Sequence, residues 1–360
     1  MFTFAGLIIV LILVLIMPFV NKLIERNLEI FLFIMGIAAS VVAGVLTKEL
    51  LLEILSNKFI YMITIAVLVS GLIFKRFKSI INKAVRSIIN YLPLSLFVFF
   101  MIVLLGMASS FVTAIIASLL LVEIVNALPV NWKMKVNIVI LSCFSIGLGA
   151  ALTPVGEPLA TVVVSRLDEN FSFLLVKLGE YIIPGIIVLG IIGAFIAGKK
   201  SAQETGLNEE KHDIFEDSAI EIANEISTEE ETYKGIIERT IKVFVFVMAL
   251  ELLGSGFKPL IDRYVVDFNS NGLYWMNMLS AVLDNATLAS AEISSRMDGR
   301  QITAILMGLL ISGGMLIPGN IPNIISAGKL KIGSKEWARV GIPIGLVLMI
   351  AFYIIIFYIL

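Results

Sequence analysis

Two segments of the sequence combine paired prolines with oxygen-bearing side chains in apolar surroundings. The first reads ALTPVGEPLATVV and contains Pro154 and Pro158, and the second reads LIPGNIPNIISA and contains Pro318 and Pro322 at the same spacing. A proline inside a helix removes an amide donor and leaves the carbonyl one turn back without its partner. Carbonyl and side-chain oxygens are the ligands of hard cations. The two segments therefore predict interrupted helices that bind a cation.

Four carboxylates fall in or near apolar segments and could carry a proton or contact a cation. Glu157 lies in the first break and Asp284 in the segment MLSAVLDNATLASAEISSRMDG, and both are predicted ion ligands; Glu251 and Glu292 are further candidates for proton coupling. A carboxylate at bilayer depth costs about 2.5 to 3.5 kcal/mol on insertion scales, so such residues are usually functional or paired. Neutral oxygens near them come from Asn285, Thr287, Asn320 and Asn323.

The composition indicates the environment of these residues. The chain has 360 residues, is 59% hydrophobic and has a mean hydropathy of +1.00. Apolar stretches of about 17 to 25 residues, enough to cross a bilayer, recur along it. Cys143 and His212 are the only residues of their types, so an intramolecular disulfide is excluded and a histidine metal centre is not expected. We expect an all-α polytopic membrane protein that contacts lipid and no nucleic acid.

The hydropathy pattern predicts about nine transmembrane helices plus two re-entrant hairpins. The hairpins are expected at 106–127 and 272–298, where serine, threonine, asparagine and acidic residues interrupt the apolar pattern. The helices are expected near 2–20, 28–46, 59–74, 88–105, 134–152, 172–198, 238–254, 301–316 and 338–360.

The order of these elements predicts an internal duplication. Aligning Thr113 with Thr287, or Pro154 with Pro318, superimposes a hairpin and a broken helix in each half. An odd number of crossings per copy would give an inverted repeat, the architecture of many secondary transporters. The predicted parts are N-terminal scaffold helices (1–87), a first repeat (88–198, with its broken helix at 134–165), an acidic loop (199–237) and a second repeat (238–360, with its broken helix at 301–328).

The energy source is predicted by exclusion. The segment GKLKIGSK does not match a Walker A phosphate-binding loop, because Ser334 precedes Lys335 and no strand precedes the segment. ATP hydrolysis is therefore a poor fit, and an ion gradient is the expected driving force. We expect no catalytic residue and no cofactor.

The motifs LDNATLASA and TPVGEPLATVV, in this order and with the duplicated breaks, resemble the ion transporter superfamily. The resemblance covers about residues 88–360 and is to the NhaD-type sodium/proton antiporter and arsenite-permease branch, and more narrowly to an uncharacterised prokaryotic cation transporter group. It implies paired scaffold and transport domains, a homodimer, elevator-type alternating access and a multi-pass position in the plasma (inner) membrane of a prokaryote.

The resemblance also implies which residues contact the transported ions. It places contacts at Ser109, Ser110, Thr113, Thr153, Gly156, Glu157, Asp284, Asn285, Thr287, Gly319, Asn320 and Asn323. A sodium site formed by Glu157, Asp284, Asn285 and Asn320 is the corresponding hypothesis. The first hairpin lacks the Asp-Asn pair of the second, so the two halves are not expected to be chemically equivalent.

Four functions stay open from the sequence. The leading one is exchange of sodium, or another monovalent cation, for protons. The second is sodium-coupled transport of an anion or small carboxylate, which a fixed intramembrane arginine would favour; none is expected. The third is a channel or a non-transporting membrane protein. The fourth is an intramembrane enzyme, for which Ser109 or Ser110 beside a carboxylate is the only candidate nucleophile.

Overall fold

The structure is a computed structural model, and every regular element in its described part is helical. It describes residues 2–21, 23–24, 27–58, 60–62, 64–65, 67–69, 71–73, 75–76, 92–198, 232–264, 267–281 and 285–359. The acidic segment therefore lies outside the described residues, except for its last part.

The described residues include fourteen α-helices. They are α1 (Phe2–Val20), α2 (Leu28–Val42), α3 (Lys48–Ser56), α4 (Leu94–Val112), α5 (Ala114–Ala127), α6 (Trp132–Ala150), α7 (Pro158–Arg166), α8 (Phe173–Gly198), α9 (Tyr233–Tyr264), α10 (Ser270–Met276), α11 (Asn285–Glu292), α12 (Gly299–Gly313), α13 (Ile321–Leu330) and α14 (Ser334–Ile354). A 3₁₀ helix (Asn277–Ala281) follows α10, another (Ile317–Gly319) precedes α13, and a π-helix (Ile355–Ile359) ends the described chain.

Among the described residues, five helices are long and apolar enough to cross a membrane. They are Leu94–Val112, Trp132–Ala150, Phe173–Gly198, Tyr233–Arg263 and Ser334–Ile359, and a pair bent by 41° (Lys48–Ser56 with Ile60–Ile73) would make six. These lengths and compositions are those of a polytopic membrane protein. The expected count of nine stays a prediction. The helix expected at 301–316 is too short to cross alone, because α12 is only the first half of an interrupted helix of which α13 is the second.

The helix before the first predicted hairpin is longer than expected, and the hairpin at 106–127 stays a prediction. The helix expected to end at residue 105 continues to Val112, so Ser109 and Ser110 lie in the last turn of α4. Their hydroxyls donate to the carbonyls of Gly106 and Gly149 and so stay satisfied inside an apolar helix. The interruption is one residue, Thr113, whose φ of 78° and ψ of 149° no helix accommodates.

The second polar segment, 272–298, contains short helices, and the hairpin expected there stays a prediction. It begins within α10, continues through the 3₁₀ helix and ends after α11, with residues 282–284 outside the described part. The helix expected at 238–254 is longer, because α9 starts at Tyr233 and continues through Pro259. It packs along α2 and not only among the elements of the second repeat. The helix α3, which begins at the N-cap Thr47, was not expected.

The two repeats form matching helix triplets. In the first, α4, α6 and α8 pack on one another; in the second, α12 packs on α10, its following 3₁₀ helix and α14. Tyr274 joins α10 to α14 in the second triplet, because its hydroxyl donates to the carbonyl of Met349 at 2.7 Å. Each triplet carries one interrupted helix, α6–α7 in the first and α12–α13 in the second.

Candidate ion site at the two helix breaks

The two interrupted helices break with the same length and backbone geometry. The first helical half ends at C-caps Ala151 (φ −73°, ψ −11°) and Gly314 (φ −74°, ψ −17°). The second half starts after N-caps Glu157 (φ −153°, ψ 159°) and Asn320 (φ −154°, ψ 148°). The breaks at 151–157 and 314–320 are therefore two copies of one local structure.

The hydrogen bonds inside the breaks set the register between the copies. Gly156 N–H donates to the Thr153 carbonyl at 3.1 Å, and Gly319 N–H donates to the Leu316 carbonyl at 3.3 Å. The structure thus pairs Gly156 with Gly319 and Glu157 with Asn320. This differs by one residue from the predicted register, which paired Pro154 with Pro318.

The second proline of each pair begins a helix. Pro158 is the first residue of α7 and Pro322 the second residue of α13. Amide hydrogens are unpaired at these positions in any helix, so proline is well tolerated there. Only Pro154 and Pro318 lie inside the breaks. The prolines therefore define where the second half-helices start, in addition to interrupting the first.

Protein groups bind several carbonyls at the first break. The Ser110 hydroxyl donates to the Gly149 carbonyl at 2.7 Å, and the Thr161 hydroxyl donates to the Pro154 carbonyl at 2.7 Å. The Gly156 carbonyl accepts from Ala114 N–H at 2.9 Å, which joins the start of α5 to the break. The Thr153 hydroxyl donates to the Ser110 carbonyl. These bonds fix the break to α4, α5 and α7.

The second break is held by asparagine side chains. The Asn323 amide donates to the carbonyls of Gly313 and Leu316, both at 2.8 Å. The Asn285 carboxamide accepts from the Ser280 hydroxyl and lies against Gly313, where a Cβ would be 2.9 Å from it. Gly319 has no room for a side chain, since a Cβ would be 2.7 Å from the Ser280 carbonyl.

Asn323→Asp should destabilise the protein by about 1 to 3 kcal/mol, because it keeps the shape of the side chain and removes the donor to two buried carbonyls. Thermal unfolding of the purified protein in detergent measures this as a lower Tm. Asn170→Asp, at an exposed loop position, is the matched control and should leave the Tm unchanged. Equal Tm values for both variants would mean that Asn323 does not hold the break.

Glu157 and Asn320 occupy equivalent positions with different chemistry. They are 6% and 8% exposed, and neither side chain caps its own helix. The N-terminus of α7 favours a negative charge on Glu157, because helix N-termini carry a partial positive charge. The Asn320 amide lies against Gly147 of α6, where a Cβ would be 2.6 Å from it. The second break therefore contacts the first repeat directly.

The half-helices pack across the repeats. The second half of the first interrupted helix, α7, packs on α11, and the second half of the other, α13, packs on α5. Arg166 at the end of α7 donates to the Ser290 carbonyl at 2.6 Å and the Ile293 carbonyl at 3.2 Å, at the end of α11. The two helices therefore lie side by side with their C-terminal ends joined.

A polar cluster around Arg166 was not predicted from the sequence. Its guanidinium rests directly on Gly254 of α9, and Glu251 of α9 is its electrostatic partner. The Glu251 carboxylate accepts from the Ser165 hydroxyl and from the Asn57 amide at 3.4 Å. An arginine directly after the apolar run TVVVS was the available signal. The cluster ties α7 and α11 to α9 and α3.

Most of the predicted site residues lie at one of the two breaks, Glu251 and Glu292 lie elsewhere, and two others are not described. Asp284 lies outside the described residues, as does the side chain of Thr287. Glu251 belongs to the Arg166 cluster, and Glu292 lies at the far end of α11 beside Asn277. The residues in or beside the first break are Ser109, Ser110, Thr113, Thr153, Gly156 and Glu157. Those in or beside the second break are Asn285, Gly319, Asn320 and Asn323.

The structure describes three of the four residues of the predicted sodium site. Of its four residues, Glu157, Asn285 and Asn320 are buried at the breaks, and Asp284 is outside the described part. In the part of the chain that the structure describes, no three His, Cys, Asp or Glu side chains form a group that could hold a metal ion.

Fold and site together define a polytopic membrane protein with two matched, interrupted helices. The chain belongs to the family described as "Protein of unknown function (DUF1646)", which matches residues 4–359. The match includes both breaks and the N-terminal helices. A comparison with curated proteins found no matching relative.

Proposed function

We propose that the protein is a secondary active transporter that exchanges a monovalent cation, with sodium as the preferred ion, for protons across the plasma membrane of a prokaryote. The observation that supports this most is the pair of equivalent helix breaks, one with a buried carboxylate at Glu157 and the other with a buried amide at Asn320. Irregular backbone at membrane depth persists where it lines a site or is buried in protein.

A single carboxylate can couple the two ions. Glu157 binds either a proton or a cation, because a protonated carboxyl has lost the charge that attracts the cation. Oxygens of Ser110, Thr113 and Thr153 lie around the same break, and oxygen ligands suit hard cations. Competition at one site produces exchange without ATP.

The packing of half-helices across the repeats supports alternating access. Because α7 packs on α11 and α5 on α13, each break is joined to the other repeat, so that the two breaks can move together. We include elevator-type movement and a homodimer in the proposal, on the strength of the resemblance to the ion transporter superfamily. An inverted orientation of the two repeats belongs to the same proposal.

Sodium-coupled transport of an anion or small carboxylate is the second candidate. The helices α5, α7 and α13 each begin at a break, and the N-cap of α13 is the neutral Asn320. Helix N-termini attract anions through their partial positive charge. Arg166, the partly buried arginine that the sequence did not predict, lies at the other end of α7 and is bound by carbonyls and Glu251. The negative charge of Glu157 opposes an anion at the first break, so this candidate is the weaker one.

Proteoliposomes that contain a lumenal pH dye test the proposal. External sodium, lithium, potassium or choline is added with no membrane potential imposed. We expect a saturable pH change with sodium or lithium and none with choline. If no cation changes the lumenal pH, cation/proton exchange is refuted, and sodium-dependent uptake of labelled carboxylates then tests the second candidate.

A further inference from the structure

A buried carboxyl–carboxamide pair lies apart from the breaks. Glu292 is the last residue of α11 and is 9% exposed, and Asn277 in the 3₁₀ helix is 1% exposed. The Asn277 amide donates to Glu292 Oε2 at 2.9 Å and to the Leu273 carbonyl at 2.8 Å. At about 1.5 Å per residue, α11 places Glu292 roughly 11 Å from Asn285 at its other end.

The surroundings of Glu292 disfavour a negative charge. A buried carboxylate is costly unless a charge or several donors compensate it. The C-terminal end of α11 adds a partial negative charge, which opposes the ionised form. The Asn277 amide, which donates to this carboxyl, is neutral and does not compensate a charge.

The charged groups of the neighbouring helices have other contacts. Arg166 of α7 binds the backbone carbonyls of residues 290 and 293 and pairs with Glu251 of α9. Asp262 of α9 accepts from the Ser294 hydroxyl at 2.9 Å and pairs with Arg296 at 3.6 Å. Arg300 of α12 lies over the ring of Phe357. The helix α1 carries no charged residue.

The Asn277 side chain offers an acceptor for one more hydrogen. Among the described residues, Asn277 Oδ1 is a buried oxygen that accepts no hydrogen bond. A carboxylic acid and a carboxamide can pair through two bonds, N–H to one carboxyl oxygen and O–H to the amide oxygen. The first of these bonds is present. A proton on Glu292 Oε1 would supply the second.

We propose that Glu292 and Asn277 form a proton-binding site separate from the ion site at the breaks. A proton from water adds to the Glu292 carboxylate to give the neutral acid, whose O–H donates to Asn277 Oδ1, and release reverses this step. The role of this proton in exchange rests on the proposed function. The binding of the proton does not.

Infrared difference spectroscopy during a pH titration of the purified protein tests the site without any transport assay. We expect a carbonyl band of a protonated carboxyl that Glu292→Gln removes and Asn277→Leu shifts to higher wavenumber, because the acid loses its acceptor. Glu123→Gln, at an exposed glutamate of α5, is the matched control and should leave the band unchanged.

A band that survives Glu292→Gln, or that Asn277→Leu leaves at the same wavenumber, overturns the proposal. Asn277→Leu keeps the test valid if Glu292→Gln does not fold. If the band behaves as expected but wild-type proteoliposomes show no cation-dependent pH change, the proton site stands and the exchange function fails.

Discussion

We expect Glu157→Gln to abolish cation/proton exchange. The initial rate should fall by about 100-fold or more, which is the usual minimum when a group that transfers protons is removed. The glutamine amide fits the same space at the N-cap of α7 but can neither take up a proton nor attract a cation by charge. The lumenal pH change after a sodium pulse measures the rate in proteoliposomes.

Glu123→Gln is the control for this variant, since it makes the same chemical change at an exposed position of α5. It should retain the wild-type rate. Tm and size-exclusion elution show whether Glu157→Gln is folded. A folded Glu157→Gln protein with wild-type exchange would remove Glu157 from the site and leave the first break without a coupling group.

Arg166→Met should lower the free energy of unfolding by about 1 to 3 kcal/mol, as expected when partly buried acceptors lose their donor. The change deletes two hydrogen bonds to the end of α11 and leaves Glu251 without its cation. Thermal unfolding in detergent measures it. Arg296→Met, at an arginine whose side chain is 59% exposed and paired with Asp262, should have little effect.

A double-mutant cycle separates the pairing from the packing. If Arg166 and Glu251 interact, Arg166→Met combined with Glu251→Gln costs less than the sum of the single changes. Additive effects would contradict the pairing. Equal Tm values for Arg166→Met and Arg296→Met would show that the Arg166 contacts do not stabilise the joined helices.

The sequence predicts the positions of the two breaks well, because a proline pair beside glycine has few uses inside an apolar helix. The interruptions at 151–157 and 314–320 fall where Pro154 and Pro318 place them. The register differs by one residue, since the prolines occupy slightly different positions in the two copies. Backbone hydrogen bonds, which a sequence does not display, define the equivalence of Glu157 with Asn320.

The limits of helices were harder to predict where polar residues are satisfied locally. Ser109 and Ser110 were expected to end a span, but hydroxyls that donate to carbonyls of the same or adjacent helix are tolerated in helical segments. The Arg166 cluster was missed because its partners come from α3, α9 and α11, which are distant in sequence. Such contacts depend on tertiary packing alone.

The exchange of packing partners between the repeats has a consequence for biogenesis. While the chain is being synthesised, α5 and α7 enter the membrane before α11 and α13 exist, so the first repeat is inserted without the helices of the second repeat on which α5 and α7 pack. Neither repeat is then a complete folding unit, and fragments divided in the acidic segment would have to be produced together in one cell to yield a stable protein.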